Sequence, residues 1–198
     1  IRTALPQNKE DALSCLYMQT IVGDNASYKK VIDDFVALFP DSYEGYVSKA
    51  EYEAVVLRDM NAAERSWNRA FELAGNPAEV HFGKSKTINA VILQGDTVSH
   101  PMLTLENALA EIDKAIDADA QSLYISTKAD ILFAHGNFAA AAECYEQLAS
   151  TDMRSAESFA RASQSYRNVG NYEKSVAMLD SALNCLDSTQ ERASAPYI

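Results

Sequence analysis

Two tripeptides, Gly136-Asn137-Phe138 and Gly170-Asn171-Tyr172, recur 34 residues apart, each preceded and followed by a stretch with apolar residues at helical spacing. A fixed period in this range constrains a chain more than composition does. It marks one supersecondary unit that cannot bury its apolar face alone and must stack on its neighbours. A glycine between two helical stretches supplies the left-handed residue that ends the first of them without a Cβ clash. The period therefore predicts an array of helical hairpins, an architecture that presents a surface for holding a partner.

The second helix of each predicted hairpin extends the pattern along the chain. Ile32, Trp67, Ile112, Tyr145 and Leu179 occupy one large apolar position, at spacings of 35, 45, 33 and 34. Four residues earlier stand Tyr28, Ala63, Ala108, Ala141 and Ser175, and three later stand Phe35, Ala70, Ala115, Leu148 and Ala182. Positions i, i+4 and i+7 share one helical face, and small residues recur where helices must approach closely. On this ladder Trp67 is a core residue rather than a ligand-stacking platform. Turns are expected at Gly23-Asp24, Gly136-Asn137 and Gly170-Asn171, and the matching place in the second unit carries Arg58-Asp59, a turn made without glycine. Pro40, Pro77 and Asp117-Ala118-Asp119 mark the ends of second helices.

With these residues the chain resembles the tetratricopeptide repeat (TPR) family, whose pattern is a 34-residue helix-turn-helix with small and large apolar residues at fixed places. The match is densest in Ala129, Leu132, Gly136, Phe138, Ala141 and Tyr145, and again in Ser163, Tyr166, Gly170, Tyr172, Leu179 and Ala182. The resemblance implies an all-α fold, a right-handed α-solenoid of about five hairpins at roughly 9–42, 43–77, 78–121, 122–155 and 156–189, read as a single array over 1–198. The third unit carries an insertion near 95–104, including Gly95-Asp96-Thr97-Val98-Ser99-His100-Pro101, which reads as a tolerated loop because closure entropy grows slowly with length. Residues 190–198 look like the start of a capping helix or a further repeat. That segment and the opening Ile1 predict that the sequence is a piece of a longer protein.

Charge and chemistry narrow the function. The net charge of −11 comes without any concentrated Lys/Arg stretch, which disfavours nucleic acid, since phosphate binding needs several clustered cations. No apolar run reaches the length of a membrane span, and nothing in the sequence fixes a compartment. Cys15, Cys144 and Cys185 are odd in number, widely spaced and without metal spacing, and read as small buried hydrophobes. His81, His100 and His135 form no helix-face metal pair; His135 reads as structural beside its turn glycine, and His100 is the one worth testing for function. Carboxylates such as Asp33-Asp34, or Glu51 with Glu53, are adjacent or two apart and point to different faces, so they cannot converge on one substrate. With no phosphate loop, nucleophile elbow or dinucleotide fingerprint, the expectation is a non-enzyme with no catalytic residues, no cofactor and no metal.

The resemblance places ligand contacts on the inward positions of first helices. Aligned on the turns, these are Ser48, Tyr52 and Val55 in the second unit, Ser126, Asp130 and Phe133 in the fourth, and Glu157, Gln164 and Arg167 in the fifth. Some TPR proteins clamp a chaperone's C-terminal carboxylate with Lys, Asn and Arg. Here Arg161 and Asn168 fall near clamp-like places, but the lysines expected in other units are missing. The reading is a protein-protein interaction scaffold that holds a peptide or partner-protein segment in a concave groove. The alternative is a structural spacer or oligomerisation arm of a larger envelope or signalling protein, in which the chain self-associates.

Overall fold

The computed structural model describes residues 6–22, 24–95, 99–149 and 156–194, with side chains described at 6–19, 24–95, 99–149 and 156–186. The described residues form ten α-helices and no strand: α1 (Lys9–Val22), α2 (Asn25–Leu38), α3 (Tyr43–Val55), α4 (Met60–Leu73), α5 (Ala78–Leu93), α6 (Leu105–Ala118), α7 (Ser122–Ala134), α8 (Phe138–Ala149), α9 (Ala156–Asn168) and α10 (Tyr172–Ser194). The chain divides into two compact units, residues 1–119 and 120–198. In the first, α1 packs on α2, α3 on α4 and α5 on α6, and α3 also packs on α5. In the second, α7 packs on α8, α8 on α9 and α9 on α10.

The repeated tripeptide makes the same turn twice. Gly136 and Gly170 both have φ of 76°, and the Asn137 and Asn171 N–H groups each donate to a carbonyl five residues back, Leu132 and Tyr166, at 2.9 Å. The positive φ sends the chain out of the first helix and satisfies one of its orphan carbonyls. Asn171 then caps the next helix by accepting from the Lys174 N–H at 3.2 Å. The α3–α4 turn has the left-handed residue at Arg58, φ 59°, and Asp59 accepts from the Ala62 N–H at 2.9 Å. The expected Gly23-Asp24 turn lies partly outside the described residues. Asp24 is described, and it caps α2 by accepting from the Ala26 and Ser27 N–H groups at 2.9 and 2.8 Å.

The ladder is the core. Trp67, Ile112, Ala63, Ala70, Ala108, Ala115 and Ala141 are wholly buried, and Ile32 and Tyr145 nearly so. Around Trp67 gather Ala50, Ala54, Met60, Ala63, Ile88, Val91 and Ala108, drawn from α3, α4, α5 and α6. Packing between first helices is equally close: a Cβ on Gly83 of α5 would stand 2.6 Å from Val47 Cγ1 of α3, nearer than real Cβ atoms come.

One ladder residue departs from expectation. Leu179 is 47% exposed, and the motif residue Tyr172 is 68% exposed. α10 packs on α9 with Ser175 and Ala182, which are buried, and no helix after α10 is present among the described residues to cover its adjoining face. α10 itself is one continuous helix to Ser194, and the remainder of the expected capping segment, 195–198, lies outside the described residues.

The insertion is tied back to the core at its far end. Met102 and Leu103 pack against the Trp67 cluster, and Asn107 donates from Nδ2 to the Pro101 and Met102 carbonyls at 3.1 and 3.3 Å. His100 Nδ1 accepts from the Met102 N–H at 3.3 Å, a local loop contact. Residues 96–98 lie outside the described residues.

Trp67→Ala should cost about 3–5 kcal/mol through the cavity it leaves among alanines that cannot collapse into it. Urea denaturation checks this, and a loss under about 1 kcal/mol would mean that Trp67 is not the core of its unit.

Candidate functional site

Among the described residues, each unit has a cavity with polar side chains in its lining. That of the first unit, about 470 Å³, lies between α4, α5, the end of the insertion and α6, lined by Glu64, Lys84, His100, Pro101, Met102, Asn107 and Glu111. Of its polar groups, Lys84, His100, Asn107 and Glu111 are engaged internally. Glu111, 8% exposed, takes His81 Nδ1 at 2.6 Å and the Nζ atoms of Lys84 and Lys114 at 3.2 Å. Lys84 also lies 5.7 Å from the Trp67 ring centroid. Burial alone would raise the Glu111 carboxyl, but the His81 hydrogen bond, with Lys84 and Lys114, holds it below its ordinary value. This hub fastens α5 to α6.

A carboxyl lowered by folding stabilises the folded state above its unfolded pKa and loses that contribution as pH falls through the folded value. Stability should therefore decline on acidification below about pH 4.5, the ordinary value for the group. Glu111→Gln should flatten that part of the curve and cost about 2 kcal/mol at neutral pH, by leaving half-buried cations without their acceptor. Thermal melts of both proteins from pH 3 to 7 provide the check, and superimposable pH profiles would contradict this account.

The cavity of the second unit is open to solvent. It measures about 310 Å³ and is lined by Ser122, Leu123, Ser126 and Asp130 of α7, Tyr145 and Leu148 of α8, and Glu157, Ser158 and Arg161 of α9. Ser122, Ser126 and Asp130 recur every four residues on one face of α7, and Glu157 and Arg161 do the same on α9, so two parallel polar rows face a floor made by Tyr145 and Leu148. The Tyr145 hydroxyl donates to Asp130 Oδ1. Burial first, then that hydrogen bond and the Asp130 charge, push the Tyr145 phenol up, with Arg161 opposing, so it stays a donor. Arg161 reaches Asp130 Oδ1 at 4.0 Å and Glu157 Oε1 at 3.8 Å, distances too long for good hydrogen bonds. Its side chain is 45% exposed, beside Asp130 at 55% and Glu157 at 79%. The site thus offers a loosely held guanidinium, two carboxylates and three hydroxyls above an apolar floor. Among its lining residues no histidine or cysteine stands beside a hydroxyl, and among the described residues no three His, Cys, Asp or Glu side chains cluster to hold a metal.

The nine sequence-predicted contacts are distributed unevenly. Ser126, Asp130 and Glu157 line this cavity together. Phe133 packs edge-on against Phe138 instead, centroids 5.1 Å apart, and Gln164 and Arg167 are exposed farther along α9. In the first unit the corresponding face is filled. Ser48 and Tyr52 are buried, the Tyr52 ring standing edge-on to Tyr28 at 5.8 Å, and Val55 is half-buried against the Trp67 cluster. They offer a ligand little surface. Reasoning from sequence does not name Ser122, Leu123, Tyr145, Leu148, Ser158 and Arg161 as groove contacts, although it places Tyr145 and Leu148 on the packing ladder and Arg161 near a clamp-like place; the four-residue spacing of Arg161 from Glu157 is the signal that could have added it.

No protein-family model and no curated protein matches the chain. Solved structures do. PilW, described as a widely conserved type IV pilus biogenesis factor, aligns over 98% of this chain and 80% of its own, with a TM-score of 0.64 at 14% identity. MamA aligns over 96% of this chain and 97% of its own, with a TM-score of 0.60 at 13% identity. YrrB, described as a TPR protein with an unusual peptide-binding site, aligns over 90% and 87%, with a TM-score of 0.54 at 15% identity. The fold is that of the TPR proteins. At these identities the likeness speaks to a TPR-like all-α repeat fold and leaves function to the residues.

Proposed function

We propose that this chain is a non-enzymatic protein-interaction scaffold, and that the cavity between α7, α8 and α9 holds a peptide or a segment of a partner protein. The observation that carries this reading is the convergence of Ser126, Asp130, Glu157 and Arg161 around one opening above Tyr145 and Leu148. Such a lining suits an extended chain, whose amides meet hydroxyls and carboxylates while a side chain covers the apolar floor. A preformed helical wall needs little ordering on binding, so a few anchors suffice. Two carboxylates against one guanidinium favour a segment with a Lys or Arg side chain at this place. The peptide-binding site ascribed to YrrB, on a similar fold, agrees with the reading. The net charge of −11 disfavours nucleic acid, and no helix among the described residues is long and apolar enough to cross a membrane.

Peptides selected from a random display library test this proposal. Asp130→Ala and Arg161→Ala should each weaken the selected peptides about tenfold or more, the loss expected for an anchor, with helicity unchanged. Gln164→Ala and Arg167→Ala, outside the cavity, should leave affinity within about twofold. Peptides indifferent to Asp130 and Arg161 would place binding elsewhere.

A further inference from the structure

Within the cavity on α7–α9, the two oxygens of Asp130 are unlike. The Tyr145 hydroxyl donates to Oδ1, and Arg161 Nη1, 4.0 Å away, faces that same oxygen. Oδ2 takes no partner among the described residues. A carboxylate oxygen has two lone-pair positions, so a bonded hydroxyl and a guanidinium at Oδ1 crowd out a third donor there. Oδ2 keeps both of its positions, on a side chain that is 55% exposed. Asp130 thus meets a ligand with one oxygen rather than with the pair.

Lysine and arginine make different demands on such a carboxylate. A guanidinium binds best as a fork, two parallel N–H groups on the two oxygens, and that pairing needs Oδ1 and Oδ2 together. An ammonium is a compact charge with three donors on a flexible stem, and it needs only one oxygen from each acceptor. Ser126 and Ser122, half-buried one and two turns back on the same face of α7, supply further oxygens within the cavity. Glu157, at 79% exposed, is a solvated carboxylate whose pairing with either cation is worth little, so it does not discriminate between them.

We propose that the cavity selects lysine over arginine at its basic anchor, and that Tyr145 sets this selection by holding Oδ1 of Asp130. On the reading that the cavity holds a peptide, on which this selection rests, the partner segment is one anchored by a Lys ammonium. Tyr145 is 2% exposed and offers a ligand almost no surface of its own, so it is a positioning residue that acts through Asp130. Its ring fills the same place on the ladder with or without the hydroxyl, which separates the hydroxyl's part in the site from the ring's part in the fold.

The probe is an array of paired heptapeptides, identical but for a central Lys or Arg and without other Lys, Arg or His, incubated with the whole chain. Pairs with the strongest combined signal are then titrated in solution by fluorescence anisotropy. Wild type should bind the Lys members about fivefold more tightly than their Arg partners, the worth of one hydrogen bond. Tyr145→Phe, which frees Oδ1, should tighten the Arg members and bring that ratio to one or below with helicity unchanged, whereas a purely structural role would weaken both members alike. Gln164→Ala should leave the ratio at its wild-type value. A wild-type ratio of one or below overturns the proposal by itself, whatever the stability of the Tyr145→Phe protein, and so does a folded Tyr145→Phe protein that keeps the wild-type ratio. Asp130→Ala separates the two ways of failing. Binding that it weakens, yet without a Lys preference, overturns the selection alone; the absence of any pair that it weakens removes the peptide reading of the cavity and the selection together.

Discussion

The structure depends on close approach at the small positions of its second helices. Ala63, Ala108 and Ala141 stand four residues before Trp67, Ile112 and Tyr145, and all three alanines are wholly buried. A residue that ends at Cβ lets the neighbouring helix come near enough for the large side chain one turn later to fill the gap between hairpins. At crystal-like density these three helices have no room for a large residue at both positions, whereas α2 packs Tyr28 at the earlier one. The turns serve this contact: the left-handed residue at Gly136 or Gly170 returns the second helix along the first, and the cap that follows lets it begin without orphaned N–H groups.

The same register produces two different surfaces because the residues placed on it differ in size. Tyr52 and Asp130 hold equivalent places on first helices. In the first unit the Tyr52 ring fills the space before α3 and is closed over by Tyr28, so the face becomes core. In the second unit Asp130 is short and charged; it engages the Tyr145 hydroxyl and leaves a cavity that α9 borders with Glu157 and Arg161. The polar groups of the first unit converge instead on Glu111, where a carboxylate beneath three bases joins α5 to α6.

The fold was more legible in the sequence than the site, for a physical reason. The ladder residues recur because packing acts on every hairpin alike, so spacing alone reveals the helices, the turn at Arg58 and the burial of Trp67. Exposure at Leu179 is not a property of its own helix. It depends on whether another helix lies over α10, which the repeat pattern does not encode. Groove contacts follow the same logic: the alignment names Asp130 and Tyr52 as equivalent positions, yet whether a position is open depends on the volumes of Tyr28 and its neighbours on other helices. Arg161 has a suggestive place in the sequence, and only the fold shows Asp130 and Glu157 on either side of it. The Glu111 hub joins residues 30 apart on separate helices and leaves no local pattern.

The most direct test of the account is the effect of bulk at a small ladder position, measured by urea denaturation with far-UV circular dichroism. Ala141→Leu should destabilise its unit by about 2 kcal/mol, since the helices around a wholly buried alanine have no room to give. Leu179→Ala, on the open face of α10, should change stability by less than about 0.5 kcal/mol. An Ala141→Leu protein as stable as wild type would contradict the claim that close approach at these positions holds the hairpins together.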